Sequence, residues 1–335
     1  MNEQRVRICD IAEELGLSTA TVSNVIHGKT GKISEETRRR VMERLEKRAY
    51  MPNMAEILLA QNSSRIIGVF INDHEKYEGH TLEDFFISSS LNDLSKEIEA
   101  AGQFMMVKTA KNAKEIIKFA SMWNMDGIVV IGFCHQDYMD LRSNMRIPFV
   151  IYDGYCEKPE RILNITIDNY DGGYQMGCHF RKCGYRKALC ISDNFIGVDR
   201  ERIEGFGQGF APGECDFLLI PMHGTKRWEF YCENLARICK ATAVFAVSDY
   251  YAIDLICFLN ERRIRVPEDI AIAGFDDIPM SRMVIPALTT VRQNGTLRAK
   301  LAIEKLRELK EGMPVQTQIT LPVSLVVRKS TRQAK

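Results

Sequence analysis

The 335-residue chain has no apolar run near the ~18 residues a membrane-crossing helix needs, so no membrane partner is expected. Its opening, MNEQRVRICDI, lacks the apolar middle of a secretory signal, which points to a cytoplasmic protein. Neither sign of charge dominates: 45 Lys and Arg stand against 44 Asp and Glu. Residues 1–65 hold eleven basic against nine acidic side chains and the remainder 34 against 35, an excess too slight to identify nucleic-acid binding. Histidine is scarce, at six, and none stands near a Ser or Cys in a catalytic arrangement. The chain has no dinucleotide fingerprint, phosphate-binding loop, nucleophile elbow or zinc-protease signature. GFGQG at 205–209 has the wrong spacing and lies within a helical pattern. An enzyme is therefore not expected, and no cofactor is assigned. Cysteine is plentiful, at ten, mostly inside apolar runs (Cys134, Cys190, Cys257), as reduced and buried thiols are. Cys178, His179, Cys183 and Cys190 lack the short paired-Cys spacing of structural zinc sites, so no metal is assigned either.

What is present begins at residues 8–26, ICDIAEELGLSTATVSNVI. Ile8, Ile11, Ala12 and Leu15 recur with helical period, and Gly16 follows where a left-handed residue ends a helix cheaply. Ser18 stands as N-cap of a second helix whose inner side carries Val22, Val25 and Ile26. Thr19, Ala20, Ser23, Asn24 and His27 are left as an outward strip of small or hydrogen-bonding side chains, suited to base edges in a major groove. The competing reading is a helical hairpin at the edge of an enzyme. A third helix starts at Ser34, with Val41, Met42, Leu45 and Ala49 as its inner stripe. Lys29 and Lys32, in the intervening loop, are placed for phosphate contact.

The run ICDIAEELGLSTATVSNVIHGKTGKISEETRRRV resembles the DNA-binding domain of the lactose-repressor (LacI/GalR) family of bacterial transcription regulators. Asp10, Ile11, Ala12, Gly16, Ser18, Ala20, Thr21, Val22, Ser23, Gly28, Ser34, Thr37, Arg38, Arg40 and Val41 keep the family pattern. Asn24 replaces the usual Arg and His27 the usual Asn. The resemblance implies DNA contact by Ser18, Thr19, Ala20, Thr21, Ser23, Asn24, His27 and Lys29. It also implies a hinge in which Leu59, seven residues after Pro52, wedges into the minor groove. Glu56-Ile57 replaces the family's Ala-Arg within that hinge.

From residue 65 short apolar runs alternate with amphipathic segments, the pattern of parallel strands covered on both faces. One set ends with PFVIYD (148–153); a second begins with NITI (164–167). Two such sets point to two doubly wound lobes with a cleft between them. IPFVIYDG, ITIDNYDGG, RIEGFGQGF, FAVSDYYAID, RVPEDIAIAGFDDIPMSRMVIPALTTVRQ and LPVSLVVRKST extend the resemblance over almost the whole chain. The expected fold class is therefore α plus α/β: a helix-turn-helix headpiece, a hinge and two lobes of periplasmic-binding-protein type. Expected boundaries are 1–50 for the headpiece, 51–64 for the hinge and 65–335 for the effector-binding and dimerisation domain. By resemblance the chain crosses between lobes near 162, 291 and 322. Lobe 1 then holds about 65–162 and 292–321, and lobe 2 about 163–291 and 322–330.

Asp153, Asp249 and Asp276 each follow a strand, where open α/β sheets bind ligands, and such residues either grip hydroxyls or cap the next helix. By resemblance Arg202 is the effector-clamping arginine, Asp276 a ligand contact, Asp153 a contact in some members, and Phe85 and Phe86 an aromatic pair on the effector. Trp228 can stack on a ligand or be buried against the sheet. The reading is a ligand-responsive repressor of carbohydrate-related genes, bound as a homodimer to a pseudo-palindromic double-stranded operator. A sugar or sugar derivative is the expected effector, ahead of a nucleoside or purine. The alternative is a sugar-binding protein with no gene-regulatory role.

Overall fold

The computed structural model describes residues 6–26, 28–50, 63–155 and 162–332. His27 and most of the expected hinge, including Glu56, Ile57 and Leu59, lie outside the described residues. Two compact units result, Met1–Ser63 and Ser64–Lys335.

The first unit contains α1 (Ile8–Leu15), α2 (Thr19–Ile26) and α3 (Glu35–Lys47). Gly16 takes φ 64° and ψ 31°, and the next amide, Leu17, closes on the Ala12 carbonyl at 2.9 Å. A side chain at Gly16 would have to adopt that left-handed conformation, which only glycine does freely. Ser18 accepts the Thr21 N–H at 3.1 Å, and Ser34 accepts the Thr37 N–H at 3.2 Å, so both expected caps form. Ile11, Ala12, Val22, Val25 and Val41 make the core. Met42 and Ala49, expected on the inner stripe, are exposed: α3 ends at Lys47, and Ala49 turns out of it at φ 46°.

In the second unit a six-stranded parallel sheet runs in the order β11-β5-β4-β3-β1-β2. Its strands are β1 (Ile66–Asn72), β2 (Phe104–Ala110), β3 (Gly127–Ile131), β4 (Phe149–Tyr152), β5 (Leu163–Ile167) and β11 (Gln318–Leu321). Around it lie α4 (Phe85–Ala100), α5 (Ala113–Met122), α6 (His135–Asn144) and α11 (Gly295–Lys310). A four-stranded parallel sheet, β7-β6-β8-β9, comprises β6 (Lys187–Ser192), β7 (Glu214–Leu219), β8 (Ala243–Ala246) and β9 (Ala271–Ala273). Its helices are α7 (Asn169–Lys182), α8 (Gly197–Phe210), α9 (Gly224–Ile238) and α10 (Asp249–Glu261). An antiparallel ribbon of β10 (Thr290–Arg292) and β12 (Ser324–Val326) joins the crossing segments.

One boundary differs from expectation. NITI is not the first strand of lobe 2, because β5 pairs with β4 and β11 inside the first sheet. The first crossing follows Ile167 rather than residue 162. A short buried strand is apolar on both faces whichever sheet it joins, so its residues do not say which edge it extends.

α7 and α8 approach until their backbones touch. A Cβ at Gly173 would stand 2.0 Å from the Arg202 carbonyl oxygen, and one at Gly205 2.0 Å from that of Tyr170. Gly177 and Gly209 repeat the arrangement one turn on, at 2.2 Å from Phe206 and Tyr174. Small residues four apart on both helices thus fix the separation of the pair, and GFGQG serves this packing.

Candidate functional site

The C-terminal ends of β1, β3, β4, β6, β8 and β9 face one cavity of about 860 Å³ between the two sheets. Strand order reverses at β1 in one sheet and at β6 in the other, where doubly wound folds open a crevice. Phe85, Phe86, Asp153, Arg202 and Asp276 all line this cavity.

Arg202 enters from the first turns of α8. Its Nε donates to the Asn169 side chain at 2.8 Å, and one terminal nitrogen donates to the Val247 carbonyl at 2.7 Å. That nitrogen lies 3.6 Å from the Asp276 carboxylate, and the guanidinium sits 3.9 Å from the Phe275 ring centre. The glycine contacts between α7 and α8 bring Asn169 within reach of Arg202. Asp276 also accepts from Gln293, on the second crossing segment. Burial pushes the Asp276 carboxyl well above the usual carboxylate range, against the pull of Arg202. Its φ of 123° is one that L side chains rarely adopt, strain of the kind found where surroundings hold a group at a site.

Asp153 sits after β4 at φ 61°, with one oxygen 3.1 Å from Arg298 of α11. The other carboxylate oxygen is buried without a hydrogen bond. Arg298 is itself buried, near the faces of Tyr152 and Phe86, so it ties Asp153 to the aromatic wall. Lys76, Asp193, Asp199 and Tyr251 also line the cavity, and burial raises the Asp199 carboxyl. None of these, nor Asn169 or Arg298, was singled out from sequence. A signal existed for Arg298, which occupies an apolar-stripe position beside Ala299, Ala302 and Leu306.

Two expected effector residues are elsewhere. Asp249 is fully buried and outside the cavity lining. Its carboxylate accepts from the Ser281 and Thr290 hydroxyls at 2.5 Å each and from the Ile278 N–H at 3.0 Å. It pins α10 to the segment leading into β10. Trp228 turns inward: its indole donates to Asp254 at 2.8 Å and its ring meets Phe258 edge-on. The cysteine expectation is also corrected, since Cys134 and Cys257 are exposed and Cys190 buried. Cys134 precedes α6 and Cys257 faces outward on α10, whose inner side carries Leu255, Ile256, Phe258 and Leu259. His179 and Cys183 lie together but bind Thr331 and the Arg332 carbonyl, and among the described residues no metal-binding group of three forms.

On the first unit Thr19, Ala20, Asn24 and Lys29 are exposed and Ser23 is half-buried. Ser18 and Thr21 share a hydrogen bond of 2.8 Å at the cap. Arg44 and Arg48 both grip Glu14, which fastens α3 to α1.

Residues 7–53 match the bacterial regulatory proteins of the lacI family, and residues 178–331 the periplasmic binding protein-like domain. The chain thus joins a LacI-family DNA-binding domain to a periplasmic binding protein-like domain. It is 28% identical over 344 residues to the HTH-type transcriptional repressor PurR of Haemophilus influenzae strain PittEE, covering 97% of this chain and 98% of that one. Identity to the HTH-type transcriptional regulator DegA of Bacillus subtilis strain 168 is also 28%, over 98% of both chains. In fold it resembles the lac repressor dimer bound to operator and the anti-inducer ONPF, with a TM-score of 0.84, 22% identity, and coverage of 98% and 99%. The chain is accordingly read as a DNA-binding regulator of transcription.

Proposed function

We propose that the protein is a dimeric repressor of carbohydrate-related genes, acting on a pseudo-palindromic operator. A small polyhydroxylated effector in the interlobe cavity shifts its operator affinity. The observation that carries this reading is the convergence of Arg202, Asp276 and Asp153 with Phe85 and Phe86 around one cavity of ligand size. Carboxylates and a guanidinium grip hydroxyl groups through charge-assisted hydrogen bonds, and an aromatic face covers a sugar's apolar side. Seven Asp and Glu line the cavity against three Lys and Arg. Arg202 is engaged by Asp276, and Arg200 by Glu204. A phosphorylated or carboxylated compound would add negative charge to this wall, so the effector is a neutral or amine-bearing polyol.

A thermal-shift screen of the full chain with sugars, amino sugars, sugar phosphates, nucleosides and purines tests the class, because a bound ligand raises the melting point. Neutral or amino sugars should raise it and their phosphates should not. A shift confined to phosphates or purines overturns the effector assignment. With the hit in hand, Arg202→Lys should keep effector-free operator affinity within about twofold while erasing the effector's shift of that affinity, a coupling typically about 5–150-fold. Lysine retains the charge beside Asp276 but lacks the fork that reaches Asn169 and Val247. An unaltered effector response in this variant rejects the clamp.

A further inference from the structure

α9 does not cap its own N-terminus. His223, the flanking residue, gives no side-chain hydrogen bond to the first turn. The missing acceptor comes from the other side of the cleft. Glu78, in the loop after β1, accepts the Gly224 N–H at 3.0 Å and lies 3.3 Å from the His223 ring nitrogen. Donation from Gly224 holds the Glu78 carboxyl below its usual range. Both ends of this contact are held in place. Glu78 closes the short turn Glu75–Tyr77 at φ 51°, a left-handed conformation uncommon for glutamate. On the far side the buried Arg227 donates to the Pro221 and Met222 carbonyls just before His223, pairs with Asp254 at 2.6 Å, and reaches the hydroxyl of the cavity-lining Tyr250 at 3.1 Å.

We propose that Glu78 is an interlobe latch: it supplies in trans the cap that α9 lacks, and so holds the cleft closed before any effector arrives. The lobes cannot separate without uncapping a fifteen-residue helix. Every population that opens to admit ligand must first lose this bond, so the latch sets the apparent affinity of the cavity. That consequence rests on the effector reading above; the contact itself does not.

Hydrogen–deuterium exchange on the ligand-free full chain tests it with two variants on opposite lobes. Glu78→Ala removes the acceptor. Gly224→Pro removes the donor at the first helical position, where proline is tolerated, and His223 at φ −73°, ψ 132° already has the backbone a residue before proline prefers. Glu78→Ala should speed exchange in the α9 peptide 225–231, and Gly224→Pro should speed it in the loop 74–83. Each change should be about fivefold, the factor a capping bond is worth. The double variant should exchange no faster than either single one. If each substitution moves only its own lobe, or the two effects add, there is no latch. No effector enters the measurement, so its outcome is separate from that of the ligand screen.

Discussion

At the residue scale, what separates a binding group from a structural one is where its polar atoms end. Asp249 and Asp276 each follow a strand with similar sequence surroundings. Asp276 keeps a face on the cavity, whereas Asp249 has its oxygens taken by Ser281, Thr290 and Ile278. Burial pushes the Asp249 carboxyl up to about 6, from an ordinary 3.8. A carboxyl that holds its proton more tightly when folded stabilises the fold below its unfolded value, and that contribution disappears as pH rises through the folded one. Wild-type protein should therefore lose up to about 3 kcal/mol relative to Asp249→Asn between about pH 4 and pH 7. Urea denaturation of both proteins across that interval measures it; a constant difference would mean that Asp249 titrates normally. Arg202 could be found from its motif, but its partners Asn169 and Val247 lie 33 and 45 positions away, beyond any local pattern.

At the scale of elements, helices were legible from their 3.6-residue period and strands as short unbroken apolar runs, buried on both faces. The amphipathic segments between the first apolar runs form helices at 85–100, 113–122 and 135–144. The role of GFGQG was not legible, because a glycine's value depends on what opposes it. Two glycines of one helix make the point. Gly205 meets backbone at 2.0 Å, whereas Gly207, two residues on, meets nothing within 4 Å. Gly205→Ala should cost at least about 1–3 kcal/mol, since a carbonyl on a packed helix cannot yield as a side chain does. It should also weaken effector binding by moving Arg202. Gly207→Ala should stabilise by about 0.5–1 kcal/mol, because alanine loses less backbone freedom in a helix. Denaturant midpoints of the two variants should move in opposite directions; movement in the same direction would discard the packing account.

At the scale of the whole molecule, a repressor that acts as a dimer reads two half-sites related by its own two-fold axis. Asn24 is exposed on α2, at the position where the family usually carries arginine. Asparagine pairs two-pronged with adenine, and arginine with guanine. Selection from random duplexes should return inverted repeats with A·T at the base pair Asn24 faces. Asn24→Arg should move that pair to G·C by about 1–3 kcal/mol of preference, leaving the other positions unaltered. Recovery of single half-sites, or the same pair from both proteins, would reject the assignment. Affinity should not rest on gross charge, since Arg38, Arg39, Arg44 and Arg48 are each paired to a carboxylate of the same unit.

The order of residues by itself determined the headpiece, the alternation of strands and helices behind it, and the place of Arg202. Each is written in local period, in caps and in motifs spanning a few turns. Only the tertiary structure decided that β5 closes the first sheet, that Asp249 and Trp228 turn inward, and that Glu78 caps a helix 146 residues away. Those outcomes depend on which distant surfaces meet and which polar atoms remain unpaired when they do, and local pattern carries no record of either.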